Sequence, residues 1–129
     1  MSKWANSKVE DYGLDYLRQN TTRIVACQGQ PTSYADATTP VATGKLLGSL
    51  SGIVPANWTL GNDPISGRRA TLLSETVQIG YAGTLDHIAL VNDTATELLY
   101  TLPVTITQPV AGGNTVTTPD IPIAIQNPT

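Results

Sequence analysis

The strongest constraint on the fold is an alternation of apolar residues in the last third of the sequence. Every even-numbered residue from Leu98 to Ile106 is apolar, whereas the odd positions between them hold two threonines, one leucine and one proline. A period of two is typical of a β-strand, because successive side chains point to opposite faces of the sheet. Pro103 removes one backbone donor from this run, so we predict an edge strand or a bulge there.

Further short apolar or β-branched runs, separated by turn residues, fill most of the chain. They predict strands at residues 21–27, 45–54, 58–60, 71–73, 76–81, 85–91 and 121–125. The spacing of the runs after residue 71 predicts successive hairpins, and Pro119 and Pro122 place the last strand at an edge. The low-charge segment 34–44 is predicted to be an extended arm or a long loop.

Composition supports the same fold class. Charged residues make up only 13% of the 129 residues, and the chain contains 11 glycines and 9 prolines, which is typical of short strands joined by many turns. We therefore predict an all-β fold, either a β-sandwich or a jelly-roll-like barrel, with a short N-terminal α-helix.

The helix is predicted near the start of the chain, where Ser7 and Glu10 match the pattern of a capping box. An apolar stripe at helical spacing follows, and its members are Val9, Tyr12, Gly13, Tyr16 and Leu17. A helix of this length is marginal alone, so it docks either on its own sheet or on a neighbouring subunit. The predicted organisation is a helical arm at residues 1–20 and one β-sandwich-like domain at residues 21–129.

The charge balance excludes some classes of partner. With a net charge of −3 and an isoelectric point of about 4.8, the chain has no basic field to attract a phosphate backbone, so nucleic acid is not an expected partner. No apolar run approaches the roughly 18 to 20 residues that cross a bilayer, and residues 1–6 lack the apolar core of a signal peptide. We expect a protein that is made in the cytoplasm and does not enter a membrane.

Few residues in the sequence can carry chemistry. The only histidine, His87, lies in a predicted strand beside Asp86, and the two side chains are expected on opposite faces. Cys27 is expected to pack as a buried apolar residue; a nucleophile arrangement with His87 and an intermolecular disulfide are the minor alternatives. We predict no enzymatic activity, no cofactor and no metal site, because one cysteine and one histidine fall short of the ligands that zinc needs.

Two further features suggest binding. Arg68 and Arg69 end the most polar cluster of the chain, where they would either hold an acidic patch on a partner or remain a solvated pair after a tight turn. Trp58, next to a predicted turn, is the one residue that suggests a platform for a sugar.

Several segments occur in a recognisable order. They are Lys8-Val9-Glu10-Asp11-Tyr12-Gly13-Leu14-Asp15-Tyr16-Leu17, Ile24-Val25-Ala26-Cys27, Gln30-Pro31-Thr32-Ser33-Tyr34-Ala35-Asp36-Ala37, Ser66-Gly67-Arg68, His87-Ile88-Ala89-Leu90-Val91, Leu98-Leu99-Tyr100 and Pro128-Thr129. This order resembles small virion proteins of tailed bacteriophages, of the kind that decorates or cements the capsid, and the resemblance covers most of the chain.

The resemblance implies a non-enzymatic structural protein that assembles as a homotrimer, binds the major capsid protein on the outer capsid surface and stabilises the shell. Such a protein is made in the cytoplasm of the host bacterium and resides in the virion. The expected partner contacts are Val9, Tyr12, Tyr16, Leu17, Arg68 and Arg69. The alternatives are a tail, head–tail connector or fibre component of the virion, and a carbohydrate-binding β-module.

Overall fold

The computed structural model describes residues 7–65 and 67–125, without the side chains of residues 7–12, 105 and 125. Strands hold 51% of the chain and helices 15%, in two antiparallel sheets with one short N-terminal helix. These proportions confirm the predicted all-β class.

Two α-helices, one 3₁₀ turn and nine strands make up the described secondary structure. They are α1 (Ser7–Asn20), β1 (Arg23–Cys27), α2 (Tyr34–Thr38), β2 (Leu46–Ser51), the 3₁₀ turn (Pro55–Asn57), β3 (Trp58–Asn62), β4 (Arg68–Leu72), β5 (Thr76–Ile79), β6 (Gly83–Asn92), β7 (Glu97–Val110), β8 (Thr115–Thr117) and β9 (Ile121–Ile125). The strand predictions near residues 21–27, 58–60, 85–91 and 121–125 are confirmed within a few residues.

Six strands form one sheet in the order β7-β6-β1-β2-β5-β8. Strand β1 lies in its interior, with Ile24 opposite Leu50 of β2 on one side and opposite Leu90 of β6 on the other. The four residues from Ile24 to Cys27 are all buried, which explains why these four residues are apolar and do not alternate with polar ones.

This sheet must curl, because a short connection joins its two edge strands. Six strands in a flat sheet would place the edges about 24 Å apart at about 4.8 Å per step. The link from Val110 at the end of β7 to Thr115 at the start of β8 spans at most about 18 Å when fully extended. Hydrogen bonds from Gly113 N to Ile79 O (2.9 Å) and from Ile79 N to Asn114 O (2.8 Å) hold that link against β5. The sheet is therefore curled, as in a partly open barrel.

The remaining strands form a three-stranded sheet in the order β3-β4-β9, and α1 packs against β4 and β9. Leu14 is only 1% exposed and Leu17 9% exposed on the helix. Of the two docking modes left open by the sequence, the helix thus uses the one within its own chain.

The chain divides into two compact units, each built from segments that are distant in sequence. One comprises residues 1–20, 54–74 and 119–129, and the other comprises residues 21–53 and 75–118. The predicted division into an arm (1–20) and one domain (21–129) stays a prediction, because compactness alone does not show which part folds independently.

Two predictions about connections are wrong. The runs after residue 71 do not form successive hairpins, since β4 pairs with β3 and β9 whereas β5 pairs with β2 and β8. Only β6 and β7 in that stretch form a hairpin. A short link fixes how far apart two strand ends are, but not which strands pair.

The segment 34–44 is also not an extended arm, because it begins with helix α2. Ser33 Oγ accepts a hydrogen bond from Asp36 N (3.0 Å), and the Asp36 carboxylate accepts one from Thr32 N (3.1 Å). This reciprocal pair satisfies donors at the start of the helix. Ala37 is buried against the core of the sheet, so the low charge of the segment reflects packing.

The docking of α1 within its own chain can be tested with Leu14→Ala. Removing a fully buried leucine side chain should lower the free energy of unfolding by about 2–5 kcal/mol, measured by urea unfolding followed by tryptophan fluorescence. Tyr16→Ala, on the same helix but 52% exposed, is the control and should change it by less than about 0.5 kcal/mol. Equal midpoints for Leu14→Ala and the wild type would show that the helix does not dock in solution.

Candidate functional site

The most connected polar group in the six-stranded unit is the carboxylate of Asp93, in the turn between β6 and β7. Its Oδ1 accepts hydrogen bonds from Arg23 Nη2 (2.7 Å) and Tyr34 Oη (2.8 Å). Its Oδ2 accepts one from Thr22 Oγ1 (3.0 Å), which in turn accepts one from Asp93 N (2.9 Å). One carboxylate thus joins the start of β1, helix α2 and the β6–β7 turn.

These contacts shift two pKa values in opposite directions. Burial alone would raise the pKa of Asp93, but the hydrogen bonds from Tyr34, Arg23 and Thr22, together with the charge of Arg23, outweigh it and hold this pKa below its usual value. The pKa of Tyr34 is raised, first because its hydroxyl donates to Asp93. The three donors on the Asp93 carboxylate fasten α2 to the start of β1 and to the β6–β7 turn.

Cys27, Asp86 and His87 lie closer together than the sequence suggested. Cys27 on β1 is the register partner of His87 on β6, and Asp86 Oδ1 lies 2.9 Å from His87 Nδ1. The expectation that Asp86 and His87 point to opposite faces is therefore wrong. The register between β6 and β7 shifts at this point, and such an irregularity interrupts the regular alternation of side chains.

This proximity does not produce an activated thiol. Burial, followed by the negative charges of Asp36 and Asp86, raises the pKa of Cys27 to about 12, and its Sγ lies 3.8 Å from the Val25 carbonyl oxygen. Asp86 is occupied as well, because Oδ1 also accepts a hydrogen bond from Gly29 N (2.6 Å). Cys27 is buried, as predicted, and its thiol stays protonated at neutral pH.

The predicted partner contacts are placed as follows. The side chains of Val9 and Tyr12 lie outside the described residues, Tyr16 is exposed and Leu17 is buried, so Leu17 has little surface to offer. Their role in binding stays a prediction.

The two arginines of β4 are half-buried, and Arg68 donates a hydrogen bond from Nη1 to Asn62 Oδ1 (2.8 Å). As neighbours in a strand with regular register, Arg68 and Arg69 point to opposite faces. They cannot hold the same acidic patch together, so a contact through either arginine must use that residue alone.

Trp58 cannot serve as a sugar platform in this structure. Its side chain is 6% exposed, and its indole Nε1 is buried without a hydrogen-bond partner among the described groups. Trp58 contributes to the interior of its unit.

Strand β7 presents a surface that the sequence reading missed. No charged residue occurs between Glu97 and Asp120, and β7 occupies one edge of its sheet, as Pro103 predicted. Pro103 pairs with His87, and Pro109 pairs with Thr84. Because proline has no N–H, neither residue can donate a backbone hydrogen bond, whether to β6 or to a further strand.

Between these two prolines β7 bulges. Leu85 pairs with Gln108 and His87 with Pro103, so residues 104–107 have only Asp86 opposite them. Residues 104–107 form an arch, and Ile106 in this arch is 80% exposed. An open groove of about 540 Å³ lies towards the other end of the strand, and its lining residues are Gln30, Pro31, Thr32, Leu98, Leu99, Tyr100 and Thr101. None of the seven is charged.

No group of three or more His, Cys, Asp or Glu residues in residues 7–65 and 67–125 is placed to hold a metal ion. No helix in that part of the chain is long and apolar enough to cross a membrane. The comparisons with protein-family models, curated proteins and solved structures gave no match.

The Asp93 network predicts how stability depends on pH. A carboxylate whose pKa is lowered on folding stabilises the protein above its unfolded pKa of about 3.9, and this contribution is lost as the pH falls below about 4. A tyrosine whose pKa is raised stabilises the protein below about pH 10 and loses this effect above that pH.

We therefore expect Asp93→Asn to lower the free energy of unfolding by about 1 kcal/mol at pH 7, a small value because the carboxylate is partly exposed. The difference from wild type should shrink near pH 3. The difference in the free energy of unfolding between Tyr34→Phe and the wild type should shrink above about pH 10. Tyr81→Phe, at an exposed tyrosine, is the control. Urea unfolding at each pH measures these differences, and a constant difference across the range would contradict the assignment.

The buried thiol predicts slow labelling. Ellman's reagent should modify Cys27 in the native protein at least about 100-fold more slowly than in guanidinium chloride, because reaction requires opening of the core. Complete labelling of the folded protein within the same few seconds would instead show an accessible, reactive thiolate.

Proposed function

We propose that the chain is a non-enzymatic structural protein of a tailed-phage virion that binds the outer capsid surface as an oligomer and stabilises the shell. Its partners are further copies of itself, as a homotrimer, and the major capsid protein. The resemblance of the sequence to virion decoration proteins supports this role. The observation that carries it is the uncharged, exposed edge formed by β7.

An uncharged edge suits contact between proteins. Burying a charged side chain costs free energy unless it is paired, and each copy of this chain carries a net charge of −3. Strand β7 has no charged residue after Glu97. It therefore has no charge to desolvate and none that would repel a neighbouring copy. Tyr100 and Ile106 add exposed apolar surface on the same strand.

Shell stabilisation follows from binding at several points. When copies are joined in an oligomer, the second and third contacts with the capsid become effectively intramolecular, which raises the overall affinity without any new type of contact. Individually weak contacts are then sufficient. Tyr16 is exposed and both Arg68 and Arg69 are half-exposed on the three-stranded unit, so all three are accessible as capsid contacts. Because Arg68 also donates a hydrogen bond to Asn62, Arg69 is the arginine to test first.

The structure affects the two alternative functions, a carbohydrate-binding module and a tail or connector component, in different ways. The carbohydrate-binding module loses its proposed platform because Trp58 is buried. A tail, head–tail connector or fibre component would use the same surfaces on another part of the particle, so a binding experiment must offer both heads and tails.

Co-sedimentation with bare capsids of the phage that encodes the chain tests the proposal. We expect the wild type to sediment with capsids, with binding that weakens between about 50 and 500 mM NaCl because Arg69 contacts an acidic patch. Arg69→Gln should weaken binding about 5- to 10-fold, whereas Lys45→Gln, which removes the same charge elsewhere, should not.

Absence of sedimentation with capsids at low salt would overturn the capsid assignment. Sedimentation with isolated tails but not with capsids would favour the tail or connector alternative. Equal effects of Arg69→Gln and Lys45→Gln would show that only net charge matters and that Arg69 is not a contact.

A further inference from the structure

Strand β7 carries both a projecting apolar side chain and a neutral groove. Ile106 is 80% exposed at the centre of the arch between Pro103 and Pro109. The groove lies several residues away, around Leu98, Leu99 and Tyr100. A second uncharged groove, of about 290 Å³, lies around β2 and β5 and is lined by Leu46, Gly48, Ser49, Gln78, Ile79, Gly80 and Tyr81. The groove beside Tyr100 is the one on the strand that carries the arch.

The form of the edge selects side-chain contacts over strand pairing. An exposed edge normally adds a further strand through its free N–H and C=O groups. Pro103 and Pro109 each lack a backbone donor, and the bulge at residues 104–107 breaks the straight row that a partner strand would follow. What the arch offers to a partner is therefore the side chain of Ile106.

The groove is a defined feature of the folded unit. Gln30 Nε2 donates a hydrogen bond to Thr101 Oγ1 (3.2 Å), which ties the segment after β1 to β7. Pro31 is buried, and Tyr100 is 36% exposed, so one wall is fixed by packing and another presents an aromatic ring. Leu98, Leu99 and Tyr100 bring apolar groups to the groove, and Gln30, Thr32 and Thr101 bring polar ones. This mixture suits an aliphatic side chain carried on a threonine-rich segment.

We propose that the arch of one copy, with Ile106 at its centre, binds in the groove of a second copy of this chain. Electrostatics favour a second copy of this chain as the partner. Two copies that each carry a net charge of −3 repel when charged surfaces face each other, whereas the arch and the groove are both free of charged residues. A groove without charged residues also offers no ion pair to a charged ligand.

This inference rests on the proposed function, since it names the surface through which the structural protein self-associates. It also fixes the character of the contact. Because no ion pair contributes, self-association should be nearly independent of salt, in contrast to capsid binding through Arg69. The two interactions can therefore be separated in one set of buffers.

Light scattering and sedimentation equilibrium over about 1–200 μM protein test the proposal. The wild type should form an oligomer whose dissociation constant changes less than about twofold between 50 and 500 mM NaCl. Ile106→Glu should weaken association at least about 30-fold, as expected for loss of a central apolar contact. The matched control is Ile65→Glu, at an isoleucine that is 82% exposed in the loop between β3 and β4, and it should associate like the wild type.

A charge-pair variant identifies the groove. Tyr100→Lys alone should also weaken association, whereas a chain with both Ile106→Glu and Tyr100→Lys should associate again, because the glutamate of one copy meets the lysine of the next. The restored association should now weaken as salt rises. Both positions are exposed, so circular dichroism and urea unfolding should show the fold unchanged.

The outcomes separate this inference from the proposed function. A wild type that remains monomeric to about 200 μM, or an Ile106→Glu variant that associates like the wild type, overturns the arch-and-groove contact. Failure of the double variant to associate overturns the groove assignment. An oligomer that depends on Ile106 but does not sediment with capsids leaves the inference intact and overturns the capsid role.

Discussion

Strand β1 is buried on both faces and lies between two partner strands, and the rest of the structure depends on this constraint. Ile24–Cys27 lie between β2 and β6 and are all buried. The one charged residue of β1, Arg23, lies at its partly exposed start and is paired with Asp93. The buried residues of a strand in this position must be apolar or neutral. That is why the one thiol of the chain is protonated and inert, despite the histidine and carboxylate that lie nearby on β6.

Two carboxylates on β6 and its following turn then shape the neighbouring elements. Asp93 accepts hydrogen bonds from Arg23, Tyr34 and Thr22, which fastens α2 over the buried end of the core. Asp86 turns its carboxylate towards Gly29 and His87 at the point where β6 and β7 lose register. Since four residues of β7 pass this single position, the strand has to arch, and Ile106 is carried into solvent.

Sequence patterns predicted the structure correctly where a local rule of strand formation applied without exception. Proline in an alternating run predicted that β7 and β9 are edge strands, and the apolar run before Cys27 predicted the buried strand. The capping pattern Ser33-Tyr34-Ala35-Asp36 was present in the sequence and would have predicted α2. The helical stripe includes the exposed Gly13 and the buried Leu17, but it leaves out Leu14, the most buried described residue of α1.

What sequence patterns could not supply is long-range pairing, and the candidate site depends on it. The alternation from Leu98 to Ile106 predicted one apolar face, yet the bulge opposite Asp86 places Ile106 outside that face. An edge that has lost donors at Pro103 and Pro109 resists the open-ended strand addition that leads to aggregation. It can still form a side-chain contact of limited area, which is weak singly and strong when several copies bind one surface together. The lack of charge, the prolines and the bulge thus act in the same direction: at this edge they favour contacts between side chains over the addition of a strand.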